Sequence, residues 1–192
     1  MSDTRRLKIG LDIDGCIADF IGAFRNEAAM VLDRQMLGEP VDWDFSNWMN
    51  TKEQSRIWNR IQNTENWFEK YPRPMPGVIA NLRHLTRRHE IYFISNRIET
   101  KGDPVQVQTQ FWLEALQVDF PTVIITKHKG AIAAALGLNI FLDDKPENLI
   151  DINNHLGTVK LFLQDSSHNQ DATIGIRVHN FEEFIDELAK GL

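Results

Sequence analysis

The chain has 192 residues, 42% of them hydrophobic and 25% charged, which fits one folded domain with an insertion better than two full domains. Its single cysteine, Cys16, excludes a disulfide framework within the chain and points to a reducing compartment. The formal net charge of −6 argues against a large nucleic-acid footprint, yet leaves room for a small anionic substrate at a locally positive site.

The first apolar run begins at Leu7 and stops at Asp12, too short for a secretory signal core. No apolar stretch approaches the ~18 residues of a membrane span, so a soluble, cytoplasmic protein with no membrane partner is expected. Leu7 to Asp12 reads as a strand. Ala18 to about Met36 reads as a helix, with Phe20, Phe24, Ala28, Val31 and Leu32 near a helical period, and Gly38-Glu39-Pro40 breaks it. Residues 41–70 hold four of the five tryptophans and read as short helices and loops, with Thr51 and Gln54 as a capping box.

The second half alternates more regularly. Pro76 opens a helix to about His89, and Glu90 to Ser95 is a strand. Asp103 caps and Pro104 begins a helix to about Gln117. Thr122 to Thr126 is a β-branched strand, and Lys129 to Leu136 is a helix closed by Gly137. Asn139 to Asp143 is a strand, and Pro146 opens a short helix. Val159 to Leu163 and Ile174 to Val178 are further strands, and Asn180 caps a last helix through Leu188. Gln164 to Thr173 is polar and predicts a mobile loop. Strands separated by helices imply an α/β fold with a parallel sheet, and ligands bind such sheets beyond the carboxyl ends of the strands.

Four polar features sit at predicted strand ends. Asp12-Ile13-Asp14-Gly15 closes the first strand; in extended geometry Asp12 and Asp14 share a side and can converge on one ligand, while Gly15 permits a sharp turn. Capping of the next helix is the competing explanation for these two carboxylates. Ser95 ends Ile91-Tyr92-Phe93-Ile94 and can hold a phosphate oxygen, or serve only as turn chemistry. Asn96 and Arg97 follow; Arg97 either clamps an anion or sits in a solvated loop. Lys129 starts a helix, where a lysine opposes the helix dipole, and can neutralise a nucleophile together with a phosphoryl group; His128 reads as a bystander. Phe141-Leu142-Asp143-Asp144 is a second apolar strand ending in carboxylates, as a divalent-cation site of oxygen ligands requires.

In this order the features resemble the haloacid dehalogenase-like phosphatases, over residues 7 to about 150. The resemblance implies a Rossmann-like core with a small α-helical cap inserted after the first strand: core 1–19 and 75–192, cap 20–74. It implies Asp12 as a nucleophile that forms an aspartyl-phosphate, and Asp14 as the acid that protonates the leaving oxygen and then the base that activates water. It implies Mg²⁺ held by Asp12, the backbone carbonyl of Asp14 and Asp144, with Asp143 in support, and a phosphoryl group bound by Ser95 and Lys129.

A closer likeness is to the 5′(3′)-deoxyribonucleotidases and their bacterial and phage relatives. It is carried by Asp19-Phe20, by Trp67 to Gly77, and by Ile125-Thr126-Lys127-His128-Lys129. That likeness implies a nucleoside monophosphate substrate, with Phe20 stacking on the base and Trp67 or Phe68 next. Trp43, Phe45, Trp48 and Trp58 are assigned to the core of the cap. Ile94-Ser95-Asn96-Arg97 departs from that family, which carries a Thr-Ser pair there, so its base and sugar contacts do not transfer. Other readings are a 3′-phosphatase on nucleic-acid ends, a general small-phosphoester phosphatase, a receiver-like domain, or a phosphate-binding protein without turnover. A homodimer stays open.

Overall fold

The computed structural model describes residues 6–190. Six parallel strands form one sheet: β1 (Lys8–Leu11), β4 (Glu90–Ser95), β5 (Thr122–Ile125), β6 (Ile140–Asp143), β7 (Lys160–Gln164) and β8 (Ile176–Val178), in the order β5-β4-β1-β6-β7-β8. The burial of β1 explains its central place, since Ile9, Gly10 and Leu11 are buried and run between Ile91 to Phe93 on one side and Ile140 to Leu142 on the other. Strands covered on both faces read as continuous apolar runs. The crossover helices α4 (Val78–Arg88), α5 (Val105–Ala115), α6 (Lys129–Leu136) and α7 (Pro146–His155), with α8 (Phe181–Lys190) after the last strand, complete the expected α/β architecture.

Between β1 and α4 the chain makes a long excursion. A two-residue strand β2 (Ala18–Asp19) leaves the sheet region and pairs antiparallel with β3 (Arg73–Pro74), which brings the chain back. Between them lie α1 (Phe20–Leu32), α2 (Thr51–Gln62) and α3 (Trp67–Lys70). Phe24, Phe45, Ile57, Ile61, Trp67 and Phe68 are buried here in one apolar cluster, separate from the clusters that flank the sheet. Phe24 and Phe45 stack with ring centroids 4.1 Å apart. Aromatic side chains bury enough area to hold together a small group of short helices.

Several boundaries differ from expectation for local reasons. Helix α1 starts at Phe20, because Ala18 and Asp19 are used by the ribbon and the Asp19 carboxylate accepts from the Gly22 amide at 2.8 Å. It ends before Asp33, which adopts the left-handed conformation at φ 50°, short of the expected Met36. The capping box of α2 is Asn50 with Glu53, one residue ahead of the expected pair. Asn50 Oδ1 accepts from the Lys52 and Glu53 amides, and the Glu53 carboxylate accepts from the Asn50 amide. Pro76 and Pro104 precede their helices: Gly77 at φ 78° is the N-cap of α4, and extended Pro104 is that of α5. Gln164 to Thr173 is not the loose loop its composition predicts. Asn169 is buried and donates to the Gln164 and Asp144 carbonyls, and Arg177 donates to Asn169 and to the Ala172 carbonyl. Several of its polar groups bond one another and the strand ends.

The Asn50 cap generates a stability prediction. Asn50→Ala removes two bonds to orphan helix amides and should lower unfolding free energy by about 1 kcal/mol. Urea denaturation should show a lower midpoint with an unchanged slope.

Candidate active site

Strand β1 lies between β4 and β6, where the order of the sheet reverses. At such a switch point the loops diverge and leave a crevice beyond the strand ends. Asp12 and Asp14 leave β1, Ser95 ends β4, Asp143 ends β6 with Asp144 next, and Lys129 begins the helix after β5. The loop from Asp12 is tight, since the Ile13 carbonyl accepts from the amides of Ile17 and Ala18 at 2.9 and 2.8 Å. Gly15 sits at φ +86°, and a Cβ there would lie 2.0 Å from Asp144 Oδ2. Glycine is therefore required twice over, for its conformation and for the close approach of the Asp144 carboxylate.

Lys129 is buried and bridges two strand ends. Its Nζ lies 2.7 Å from Asp143 Oδ2 in a directed hydrogen bond, and 2.9 Å from Asp12 Oδ1 in an ion contact off the line of a hydrogen bond. Burial pulls the lysine pKa down, but Asp12 and Asp143 outweigh it and hold the group above its ordinary value. Asp143 also accepts from the Lys145 amide and from Asn148 Nδ2, so both of its oxygens are engaged. Asp143 thus orients Lys129, and the structure does not offer it as a free metal ligand.

Asp144 stands in contrast. It is fully buried, neither carboxylate oxygen has a hydrogen-bond partner, and His168 Nε2 approaches Oδ2 only to 3.4 Å. Burial raises the Asp144 pKa to about 6, against the lowering influence of His168. Burial also raises Asp12 to about 8, with Asp143, Asp144 and Asp14 adding to the rise and Lys129 opposing it. The ligand atoms of Asp12, Asp144 and Cys16 all lie within 4.8 Å of one another. Unpartnered buried carboxylate oxygens are costly unless a cation satisfies them, and two oxygen ligands suit a hard divalent ion. The residues present therefore fit Mg²⁺. The Cys16 thiol is a soft donor that does not suit it, and burial raises its pKa well above normal.

Asp14 points the other way, toward Arg97. Arg97 Nε and Nη2 donate to Asp14 Oδ2 and Oδ1, both at 2.8 Å, and Ser95 Oγ donates to Oδ2 at 3.3 Å. The Arg97 side chain is fully buried, so the solvated-loop reading of this residue is corrected. Removing one partner of a buried pair like this typically costs about 3–5 kcal/mol.

These residues floor a cavity of about 300 Å³. Phe20, Phe68, Trp43, Trp58 and Ile98 form its apolar walls, and Asn96, Lys127, Lys145, Asn148 and Asp44 complete the lining. Of the predicted site residues, Asp12, Asp14, Phe20, Phe68, Ser95, Asn96, Arg97, Lys129 and Asp144 all reach this cavity. Trp67 does not: it is fully buried, with its ring edge on Phe20 and its Nε1 donating to Glu27 Oε1 at 3.0 Å. Trp43 and Trp58 do reach it, although a core role was expected of them. His168 was missed; it packs on Trp43 at 4.8 Å and touches Asp144 from a polar segment with no motif to mark it. Exposed His128 stays apart from the cluster.

Comparison with known proteins places the chain. Residues 5–191 match the model of the 5′ nucleotidase, deoxy (pyrimidine), cytosolic type C protein family. A Chlorobaculum tepidum protein provisionally named 5′(3′)-deoxyribonucleotidase is 28% identical over 151 residues, covering 75% of this chain and 72% of the relative. Two solved structures share the fold. A protein of Burkholderia xenovorans LB400, provisionally named a haloacid dehalogenase-like hydrolase, has a TM-score of 0.63 at 15% identity, over 97% of this chain and 98% of that one. A haloacid dehalogenase-like family hydrolase of Streptococcus pneumoniae has a TM-score of 0.61 at 12% identity, over 95% and 98%. With the ordered acidic, serine and lysine strand ends described above, the chain belongs to the type C 5′-nucleotidase family, phosphoric monoester hydrolases on the haloacid dehalogenase-like fold.

Proposed function

We propose that the protein is a Mg²⁺-dependent 5′-nucleotidase that dephosphorylates nucleoside monophosphates through a phosphorylated Asp12. One observation carries this reading: Asp12, beside Lys129, faces a cavity whose walls are aromatic and whose lining also holds Arg97, Lys127 and Lys145 among its carboxylates. An aromatic face accepts any nucleobase by stacking, and the cations suit a phosphate dianion. Phe20, Phe68, Trp43 and Trp58 are the proposed base wall. Ser95, Asn96 and Lys129 are the proposed phosphoryl ligands. Residues 20–74 are the proposed cap, closing over a core of 1–19 and 75–192. A cavity of about 300 Å³ favours a small ester over the end of a long nucleic acid. Among the described residues, no helix is long and apolar enough to cross a membrane.

Two in-line displacements replace one difficult hydrolysis. An Asp12 oxygen attacks phosphorus, the ester P–O bond breaks, and Asp14 gives its proton to the departing oxygen. Asp14 then takes a proton from water as that water attacks the phosphorylated Asp12, which releases phosphate, restores the Asp12 carboxylate and returns Asp14 to its protonated form. Lys129 holds positive charge beside Asp12, and Asp143, itself held by Asn148, orients the Lys129 ammonium. Asp12, Asp144 and the Asp14 carbonyl are the proposed Mg²⁺ ligands; when bound, the ion supplies charge for the equatorial phosphoryl oxygens.

Phosphate release should be strongest with nucleoside 5′-monophosphates in a panel that includes 3′-monophosphates, sugar phosphates and a 3′-phosphorylated oligonucleotide. Excess chelator should abolish it, and Asp12→Asn should remove at least about 10³-fold of turnover without loss of fold. Release that survives in Asp12→Asn, or that ignores chelator, contradicts the proposal.

The raised carboxylates also set a pH dependence. Asp12 at about 8 and Asp144 at about 6 bind protons more tightly in the folded state than in the unfolded chain, whose carboxylates sit near 3.8. Their contribution is therefore full below the unfolded value and is lost as pH climbs through the folded ones. The metal-free protein should melt at falling temperature from about pH 4 to about pH 8. Thermal scans should show Asp144→Asn flattening the lower part of that slope.

A further inference from the structure

Arg97 is more elaborately held than a phosphate clamp needs to be. Its Nε and Nη2 grip the two Asp14 oxygens at 2.8 Å each, and its Nη1 donates to Thr109 Oγ1 at 2.9 Å. Thr109 is buried, and its own proton goes to the Val105 carbonyl at 2.7 Å. The Thr109 hydroxyl therefore has a fixed direction, with a lone pair facing the guanidinium. The Arg97 Cζ lies over the Phe68 ring, 4.6 Å from its centroid. One residue thus joins the end of β4, helix α5, the Asp14 loop and an aromatic wall of the cavity.

Three N–H directions of Arg97 are spent inside the protein, so a direct grip on substrate is not its main employment. A carboxylate that must deliver a proton to one oxygen and later take one from water has to be held in a narrow orientation. A planar fork fixes a carboxylate in two bonds at once; the point charge of a lysine does not.

We propose that Arg97 is the positioning residue for Asp14, and that through Phe68 it ties the line of proton delivery to the wall that reads the leaving group. This rests on Asp14 being the acid and base of the reaction above. A leaving group that departs without a proton should be indifferent to Arg97, and a nucleoside should not.

The test compares kcat/KM for a nucleoside 5′-monophosphate and for 4-nitrophenyl phosphate, using the full chain with Mg²⁺. This ratio ends at release of the leaving group, so the later role of Asp14 as base does not enter. Arg97→Lys, which keeps the charge and loses the fork, should lower the nucleotide value about 10- to 100-fold, a part of the roughly 10²–10⁴ that general acid catalysis contributes. The 4-nitrophenyl value should fall less than about threefold, because its leaving group needs no proton. The nucleotide loss should lie in kcat, with KM nearly unchanged. Thr109→Val, which keeps Arg97 but removes its anchor, should show the same selectivity at smaller size, and it carries the test if Arg97→Lys melts below assay temperature. Equal losses on both substrates, or no loss on either, overturn the proposal. Asp14→Asn separates the two layers. If it too loses both substrates equally, the acid reading of Asp14 has failed. If it is selective while Arg97→Lys and Thr109→Val are not, the role of Arg97 alone has failed.

Discussion

Four buried carboxylates, Asp12, Asp14, Asp143 and Asp144, meet at the ends of two adjacent strands, and the two buried permanent cations among them are Lys129 and Arg97. Arg97 neutralises Asp14, and Lys129 is divided between Asp12 and Asp143. What is left over falls on Asp12 and Asp144, the two groups whose proton affinity is raised by burial. Two surplus negative charges are what one divalent cation balances. The fold tolerates this crowding because the switch point lets three loops converge without any of them crossing the sheet. Lys129 shows the cost locally: it occupies the first turn of α6, where the helix dipole disfavours a cation, and the carboxylates facing it hold it there.

The rest of the molecule can be understood as support for that cluster. Gly15 leaves room for the Asp144 carboxylate, and Asn169 holds the Asp144 carbonyl. The polar 164–173 segment also reaches the excursion between β1 and α4, through His168 on Trp43 and Ser167 on the Pro40 carbonyl. The excursion has its own apolar cluster of aromatic rings. It therefore places Phe20, Trp43, Trp58 and Phe68 over the charged floor, with Val105 of α5 and Ile125 of β5 packed against the same cluster.

Much of this was legible in the chain. Apolar runs that end in Asp12, Ser95 and Asp143-Asp144 mark strand ends, because carboxylates and hydroxyls are tolerated only where a core strand stops. The parallel sheet followed from the alternation of strands and helices. What the chain concealed depended on long-range partners. Arg97 reads as a loop arginine until Asp14, far away in sequence, is seen in its grip. Asp143 and Asp144 are indistinguishable in sequence, yet one is saturated by Lys129, Lys145 and Asn148 while the other is bare. Trp58 and Trp67 lie on consecutive helices, and only their packing decides that Trp67 is buried on Glu27 while Trp58 lines the cavity. Helix boundaries shifted wherever a residue such as Asp19 or Asn50 found a better local bond than the periodic pattern implied.

The charge imbalance itself can be measured. Calorimetric titration of the metal-free protein with Mg²⁺ near pH 7, repeated in buffers of different ionisation enthalpy, reports both binding and any proton released. Because Asp12 is held at about 8, the account predicts a single site whose filling expels a proton from the cluster, with binding lost in Asp144→Asn. Mg²⁺ binding that releases no proton and survives in Asp144→Asn would contradict it.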